Sequence, residues 1–116
     1  MIGISANSVK THPQDAPGEL KAQAVEFGFN FPYLYDEPQD TAKAYTAACT
    51  PDLFLFDGDM KLAYRGQMDD SRPDSGIPAN GADIRDALDA LLAGNRPSED
   101  QKASIGCNLK WHPEEQ

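Results

Sequence analysis

The sequence predicts an α/β fold with a mixed sheet, and three observations predict it. An apolar stretch, MIGIS, opens the chain and a helix-patterned segment follows after a loop. Two apolar runs, LFLF and KLAYRG, flank an Asp-Gly turn, the strongest short-range signal for an antiparallel hairpin. After the hairpin, Ile84, Ala87, Leu88, Leu91 and Leu92 fall at i, i+3, i+4, i+7 and i+8, the apolar stripe of a helix. Strands that alternate with helices and finish in a hairpin plus helix pack as helices on a sheet.

Each element has its own warrant. MIGIS reads as a short apolar strand that starts without a lead-in. NSVKTHPQDAPG is rich in Pro and polar residues and reads as a loop. GELKAQAVEFG then sets Leu20, Ala24 and Phe27 on one helical face, closed by Gly28. FNFPYLYDE is short and aromatic, an extended piece. Asp36-Glu37-Pro38 follows as a helix start, an acidic cap with Pro in the first turn, for a helix reaching Tyr45 to Ala47. The hairpin turns at Asp57-Gly58-Asp59-Met60, and MDDSRPDSGIPANG is a long turn-rich loop. The helix carrying Ile84 to Leu92 stops at Gly94 and Pro97. In the polar tail, Ile105, Cys107, Leu109 and Trp111 alternate and predict one apolar face laid on the domain. Residues 1–95 form the domain and 96–116 a tail packed on it. There is no internal repeat and no low-complexity segment.

The bulk numbers narrow the function classes. A chain of 116 residues supports one modest core. Its net charge of −9, from 19 acidic against 10 basic residues without a Lys/Arg cluster, speaks against nucleic acid and anionic membrane surfaces as partners. No apolar run approaches the roughly 18 residues of a membrane span, and the N-terminus lacks the features of a secretory signal, so the expectation is a cytoplasmic protein. Two cysteines, Cys49 and Cys107, do not make a disulfide scaffold. In a reducing compartment they are structural or redox-active.

The segments IGIS, FPYLYDE with AKAY, CTPDLFLFDGDMKLAYRGQMDDSRP and SIGCNLKW together resemble the thioredoxin-fold redoxins, specifically the peroxiredoxin-like branch related to alkyl hydroperoxide reductase and thiol-specific antioxidant proteins. The resemblance runs over nearly the whole chain. It implies a thioredoxin-like sandwich in which Thr50-Pro51 precedes the hairpin with a cis bond and faces the active-site cysteines. A cis X-Pro bond costs only about 0.5–1 kcal/mol over trans, which a fold can hold, and it presents the preceding backbone as an edge for an extended substrate or a reacting sulfur. Thr50 and Pro51 are thus candidate substrate-binding residues. Read from the dipeptide alone, they are a loop-to-strand junction that keeps Pro out of the ladder.

In that family the attacking cysteine opens the first helix of the thioredoxin core, where the helix N-terminus favours the thiolate. MIGIS matches the second core strand, so the resemblance implies an N-terminally truncated domain, and the attacking cysteine maps onto no residue here. Such a chain is either a fragment of a longer redoxin or one in which MIGIS moves beside LFLF. The fragment reading predicts low autonomous stability and self-association through unpaired strand edges.

Two thiols remain as catalytic candidates. Cys49, just before Thr-Pro, is either a resolving or redox-sensing thiol beside the site or a small buried hydrophobe, the commonest role of free cysteine. Cys107, in the tail, either swings to a sulfenic acid or mixed disulfide and resolves it, or packs to anchor the tail. Other chemistry finds little support. His12 and His112 with the two cysteines lack the paired short spacing of a zinc site. DGDMKLAYRGQM opens like a calcium loop, but Met68 stands where the bidentate carboxylate belongs. SGIPANG has no phosphate-loop lysine. Asp69, Asp70 and Arg72 read as a solvated loop or as an Arg72 to carboxylate pair that orders it. No metal and no cofactor is expected.

The resemblance implies a thiol-based oxidoreductase or antioxidant. A cysteine attacks a peroxide or disulfide, a second thiol resolves the product, and a thiol reductant resets the pair. The activity is expected to be impaired in a chain without the attacking cysteine. The competing class is a non-enzymatic thioredoxin-like binding or structural module.

Overall fold

The protein, analysed as a computed structural model describing residues 1–113, is mixed α/β. In chain order it holds β1 (Gly3–Ser5), a 3-10 turn (Pro13–Asp15), α1 (Pro17–Glu26), β2 (Tyr33–Tyr35) and α2 (Asp40–Ala44). There follow β3 (Cys49–Thr50), β4 (Leu53–Phe56), β5 (Leu62–Gly66), α3 (Ala82–Leu92) and β6 (Cys107–Asn108). Its strands pair in three separate two-stranded ladders, β1 with β2, β3 with β6 and β4 with β5. The chain divides into two units: Met1–Ala48 with the segment from Asn108 onward, and Cys49–Cys107.

In the first unit, β1 and β2 run parallel with Gly3 opposite Tyr33, Ile4 opposite Leu34 and Ser5 opposite Tyr35. Parallel neighbours need a crossover, and α1 supplies it, with Pro17 at its first turn, where a missing N–H costs nothing. The helical face predicted around Leu20 is narrower than its spacing suggests. Leu20 is buried, whereas Phe27 caps the C-terminus and is 67% exposed. The second helix begins later than its acidic start predicts. Asp36 folds forward and its carboxylate accepts from the Ala42 N–H at 2.9 Å, while Gln39 adopts a left-handed backbone (φ 65°). This leaves only Asp40–Ala44 helical, short of Tyr45 to Ala47.

The core of this unit is small: Ala6, Ala42 and Leu109, with Ala47 and Trp111 against them. A polar centre lies in the same unit. Gln39 is fully buried, and its amide donates to the carbonyls of Ala6 (2.6 Å) and Lys110 (3.0 Å) while its oxygen accepts from the His112 N–H (3.0 Å). Asn7 accepts from the Lys110 N–H (2.9 Å), and Ser8 N–H donates to the Lys110 carbonyl (2.7 Å). His112 Nε2 donates to the Glu37 carbonyl (2.7 Å), so in the neutral ring Nδ1 accepts from the Ser8 hydroxyl (2.8 Å). Of the predicted apolar tail face, Leu109 is buried and Trp111 half-buried, while Ile105 and Cys107 are exposed. The tail of this unit is thus anchored by hydrogen bonds as well as by packing.

In the second unit, β4 and β5 form the predicted antiparallel hairpin, with Leu53 opposite Gly66, Phe54 opposite Arg65 and an irregularity between Leu55 and Phe56. Its turn depends on Asp57 more than on Gly58. The Asp57 carboxylate accepts from the N–H groups of Asp59 (2.9 Å) and Lys61 (3.0 Å), and the residue forced to positive φ is Met60 (61°). Segment 101–104 runs beside β5. Gln101 donates to the Ala63 carbonyl and accepts from the Arg65 N–H, Lys102 O accepts from the Gln67 N–H, and the Ser104 hydroxyl donates to the Gly66 carbonyl (2.7 Å). Gly66 is required there, because a side chain on it would overlap the Lys102 carbonyl.

The loop before α3 is neither simply solvated nor held by an Arg72 to carboxylate pair, the two readings of its sequence. Arg72 donates to the carbonyls of Asp69 (3.0 Å) and Ser71 (2.7 Å) and to the Gln67 side chain. Asp69, buried, accepts from the N–H groups of Ser71 (2.9 Å) and Gly81 (2.6 Å). The Met68 carbonyl then takes the first N–H groups of α3, from Asp83 and Ile84, which would otherwise lack partners. Of the α3 stripe, Ala87 is buried, but Leu88 is 40% and Leu92 is 85% exposed.

Candidate functional site

Cys49, Thr50, Pro51 and Cys107 come together in the second unit. β3 carries Cys49 and Thr50 and pairs with β6, which begins at Cys107. The approach is close enough that a side chain on Gly106 would overlap the Thr50 carbonyl oxygen. The Thr50 hydroxyl reaches the Cys107 carbonyl at 3.5 Å, and the Thr50-Pro51 peptide is cis.

The two thiols sit in different surroundings. Cys107 is exposed and Cys49 is half-buried, and both are free. The Cys49 thiol points at two carbonyl oxygens, Pro51 O at 3.7 Å and Ser104 O at 3.6 Å, both of which only accept. Burial pushes the Cys49 thiol up, the Asp52 carboxylate pushes it further, and Arg65 offsets part of this. A thiolate is the nucleophile, so this environment opposes attack by Cys49 at neutral pH.

Asp52 and Arg65 form an ion pair at 3.2 Å, with the Asp52 side chain 7% exposed and that of Arg65 38% exposed. The Arg65 guanidinium also lies over the Phe54 ring, 4.9 Å from its centroid. Sequence reasoning did not single out this pair. Its signal was present, since Asp52 follows Pro51 and the hairpin register sets Arg65 opposite Phe54. Ser104, whose carbonyl faces Cys49, carried no such signal because its place depends on the course of segment 101–104.

His12 lies beside the Thr11 hydroxyl (2.8 Å), and both His12 and His112 belong to the first unit. Among the described residues no three His, Cys, Asp or Glu side chains are grouped to hold a metal, and no helix is long and apolar enough to cross a membrane.

What fold and site define together is a mixed α/β protein with a thiol-bearing rim built from β3, β6 and the start of a hairpin. Solved structures similar to it include the following two. One is an uncharacterized conserved protein from Geobacillus kaustophilus, 56% identical with a TM-score of 0.94, over 97% of this chain and 59% of that one. The other is a hypothetical protein from Sinorhizobium meliloti 1021, 45% identical with a TM-score of 0.95, over 97% of this chain and 61% of that one. The chain therefore spans about three fifths of the length of each. No protein-family model and no curated protein matches it.

Proposed function

We propose that this chain contributes the resolving side of a thioredoxin-like, peroxiredoxin-like thiol redox site. The observation that carries the reading is the pairing of β3 with β6, which sets an exposed thiol, Cys107, beside the strand of Thr50 and the following Pro51. Cys107 is the thiol that takes part. Its thiolate attacks the sulfur of a sulfenic acid that peroxide has formed on a separate cysteine; the S–S bond forms and the hydroxyl leaves as water after taking a proton. A dithiol reductant then returns both sulfurs to thiols. The Thr50 and Pro51 backbone borders the place where the partner sulfur arrives, and the Cys49 thiol stays on the Pro51 and Ser104 carbonyls.

Two observations favour the other reading, a binding or structural module. Cys49 is held as a poor nucleophile, and the chain exposes Ile2, Ile4 and Leu34 around the β1–β2 ladder. A single experiment separates the two. Peroxide consumption with a dithiol reductant is measured for the chain, Cys49→Ser and Cys107→Ser, each alone and with a separate thiol peroxidase that lacks its own resolving cysteine. The redox reading expects the mixture to turn over faster than the same peroxidase and reductant without the chain, a gain that Cys107→Ser abolishes and Cys49→Ser retains. Equal rates in every mixture would overturn it in favour of the module.

A further inference from the structure

We propose that the cavity between α1 and β2 binds a small planar aromatic carboxylate. The ligand ring lies on the aromatic wall of the cavity, and Lys21 and the Tyr35 hydroxyl meet the carboxylate. The cavity lies within the unit Met1–Ala48 and holds about 330 Å³, the lower end of the volumes that small-molecule sites occupy. One side comes from α1, where Leu20 and Ala24 lie one helical turn apart on the same face. The other side is aromatic. Phe29 stacks on Phe31 with ring centroids 4.8 Å apart and meets Tyr33 edge-on at 5.4 Å. These rings rest on β1, since a Cβ on Gly3 would sit 3.1 Å from Phe31 and 3.2 Å from Tyr33. A preassembled wall of this kind selects flat ligands, because ring-on-ring contacts add to simple apolar burial.

Two polar groups set the charge of the ligand. Tyr35 lines the cavity, and its hydroxyl oxygen is buried without a hydrogen-bond partner among the described residues. A buried hydroxyl in that state is costly, and a ligand that supplies an acceptor removes the cost. The phenol keeps its proton for that bond: burial pushes its pKa up, and the Glu37 and Asp36 carboxylates push it further. Lys21 is exposed and is the one charged side chain among the described residues lining the cavity. An ammonium group only donates, so an acceptor that is also an anion answers both groups. A cation seated on the rings is the competing chemistry, and Lys21 opposes it.

This goes beyond the proposed redox role and does not depend on it, because none of these residues belongs to the unit Cys49–Cys107. The test is an NMR titration of the full chain with three probes of one shape: naphthoate, neutral naphthamide and cationic naphthylmethylammonium. Naphthoate should give saturable amide shifts clustered in residues 17–35 and bind several-fold more tightly than the other two. Lys21→Gln, at an exposed position, should lower naphthoate affinity to that of naphthamide and leave naphthamide unchanged. Tyr35→Phe removes a hydroxyl that has no partner to lose, so it keeps the fold, and it should weaken naphthoate about tenfold. The amide spectrum of each variant reports its folding, and Lys21→Gln alone decides the matter if Tyr35→Phe unfolds. No saturable shifts in that segment would overturn the proposal. So would a cation that binds as tightly as naphthoate, or naphthoate affinity that neither substitution alters.

Discussion

At the scale of single residues, the strongest constraints are two that hydropathy does not reveal. Gln39 is fully buried and satisfies two carbonyls and one N–H from separate stretches of chain. Gln39→Ala leaves the Ala6 carbonyl and the His112 N–H without this partner, while the Lys110 carbonyl keeps the Ser8 N–H, and at about 1–3 kcal/mol per unsatisfied buried group the expected loss is about 2 kcal/mol or more. Urea unfolding of the chain and the variant measures it, and a loss under about 1 kcal/mol would contradict the network. Gly106 allows the β3 and β6 backbones to meet. Gly106→Ala should cost about 1–3 kcal/mol, because the Thr50 carbonyl in its way is backbone and cannot rotate aside. The same unfolding experiment reads this, with increased alkylation of Cys107 as a local marker. Gln39 was unreadable from sequence because a glutamine immediately before a short helix looks like any exposed polar residue.

Among the elements, the hairpin was the most legible in sequence and carries a pH prediction. Two apolar runs and Asp-Gly located both strands, but the reason the turn closes is the Asp57 carboxylate rather than glycine conformation. Hydrogen bonds from the Lys61 and Asp59 backbone, with Arg96 beside the carboxylate at 3.1 Å, hold its pKa below the usual carboxylate range. A depressed carboxylate stabilises the fold above its unfolded pKa, and that contribution is lost as pH falls through the folded value. Amide protection at Asp59 and Lys61 should therefore persist at neutral pH and drop on acidification below the usual carboxylate range. Asp57→Asn should weaken it at neutral pH and flatten the pH response, as NMR hydrogen exchange would show. Helix α2 was mislocated for a related reason: Asp36 is a cap, but one that reaches past Gln39 to Ala42.

For the molecule as a whole, the decisive quantity is how little apolar volume is buried. The buried hydrophobic residues among those described are Ala6, Leu20, Ala42, Ala63, Tyr64, Ala87 and Leu109, four of them alanines. Large apolar side chains such as Ile2, Ile4, Val25, Phe27 and Leu92 remain exposed. At about 25 cal/mol per Å² of buried apolar surface, a set rich in alanine contributes modestly against chain entropy. The chain alone should therefore be marginally stable, with weak hydrogen-exchange protection even across Leu53–Phe56; slow exchange there, close to a globally protected core, would refute this. The sequence by itself determined the α/β class, the hairpin, the two helices α1 and α3 and the proximity of Cys49 to Thr50-Pro51, because these rest on periodicity and adjacency along the chain. Only the tertiary structure decided that Cys107 pairs beside them, that the Ser104 carbonyl faces Cys49, that Asp52 pairs with Arg65, and that Gln39 ties the first unit together. Those contacts join residues 13 or more positions apart, and their energies depend on burial and distance, which no local pattern encodes.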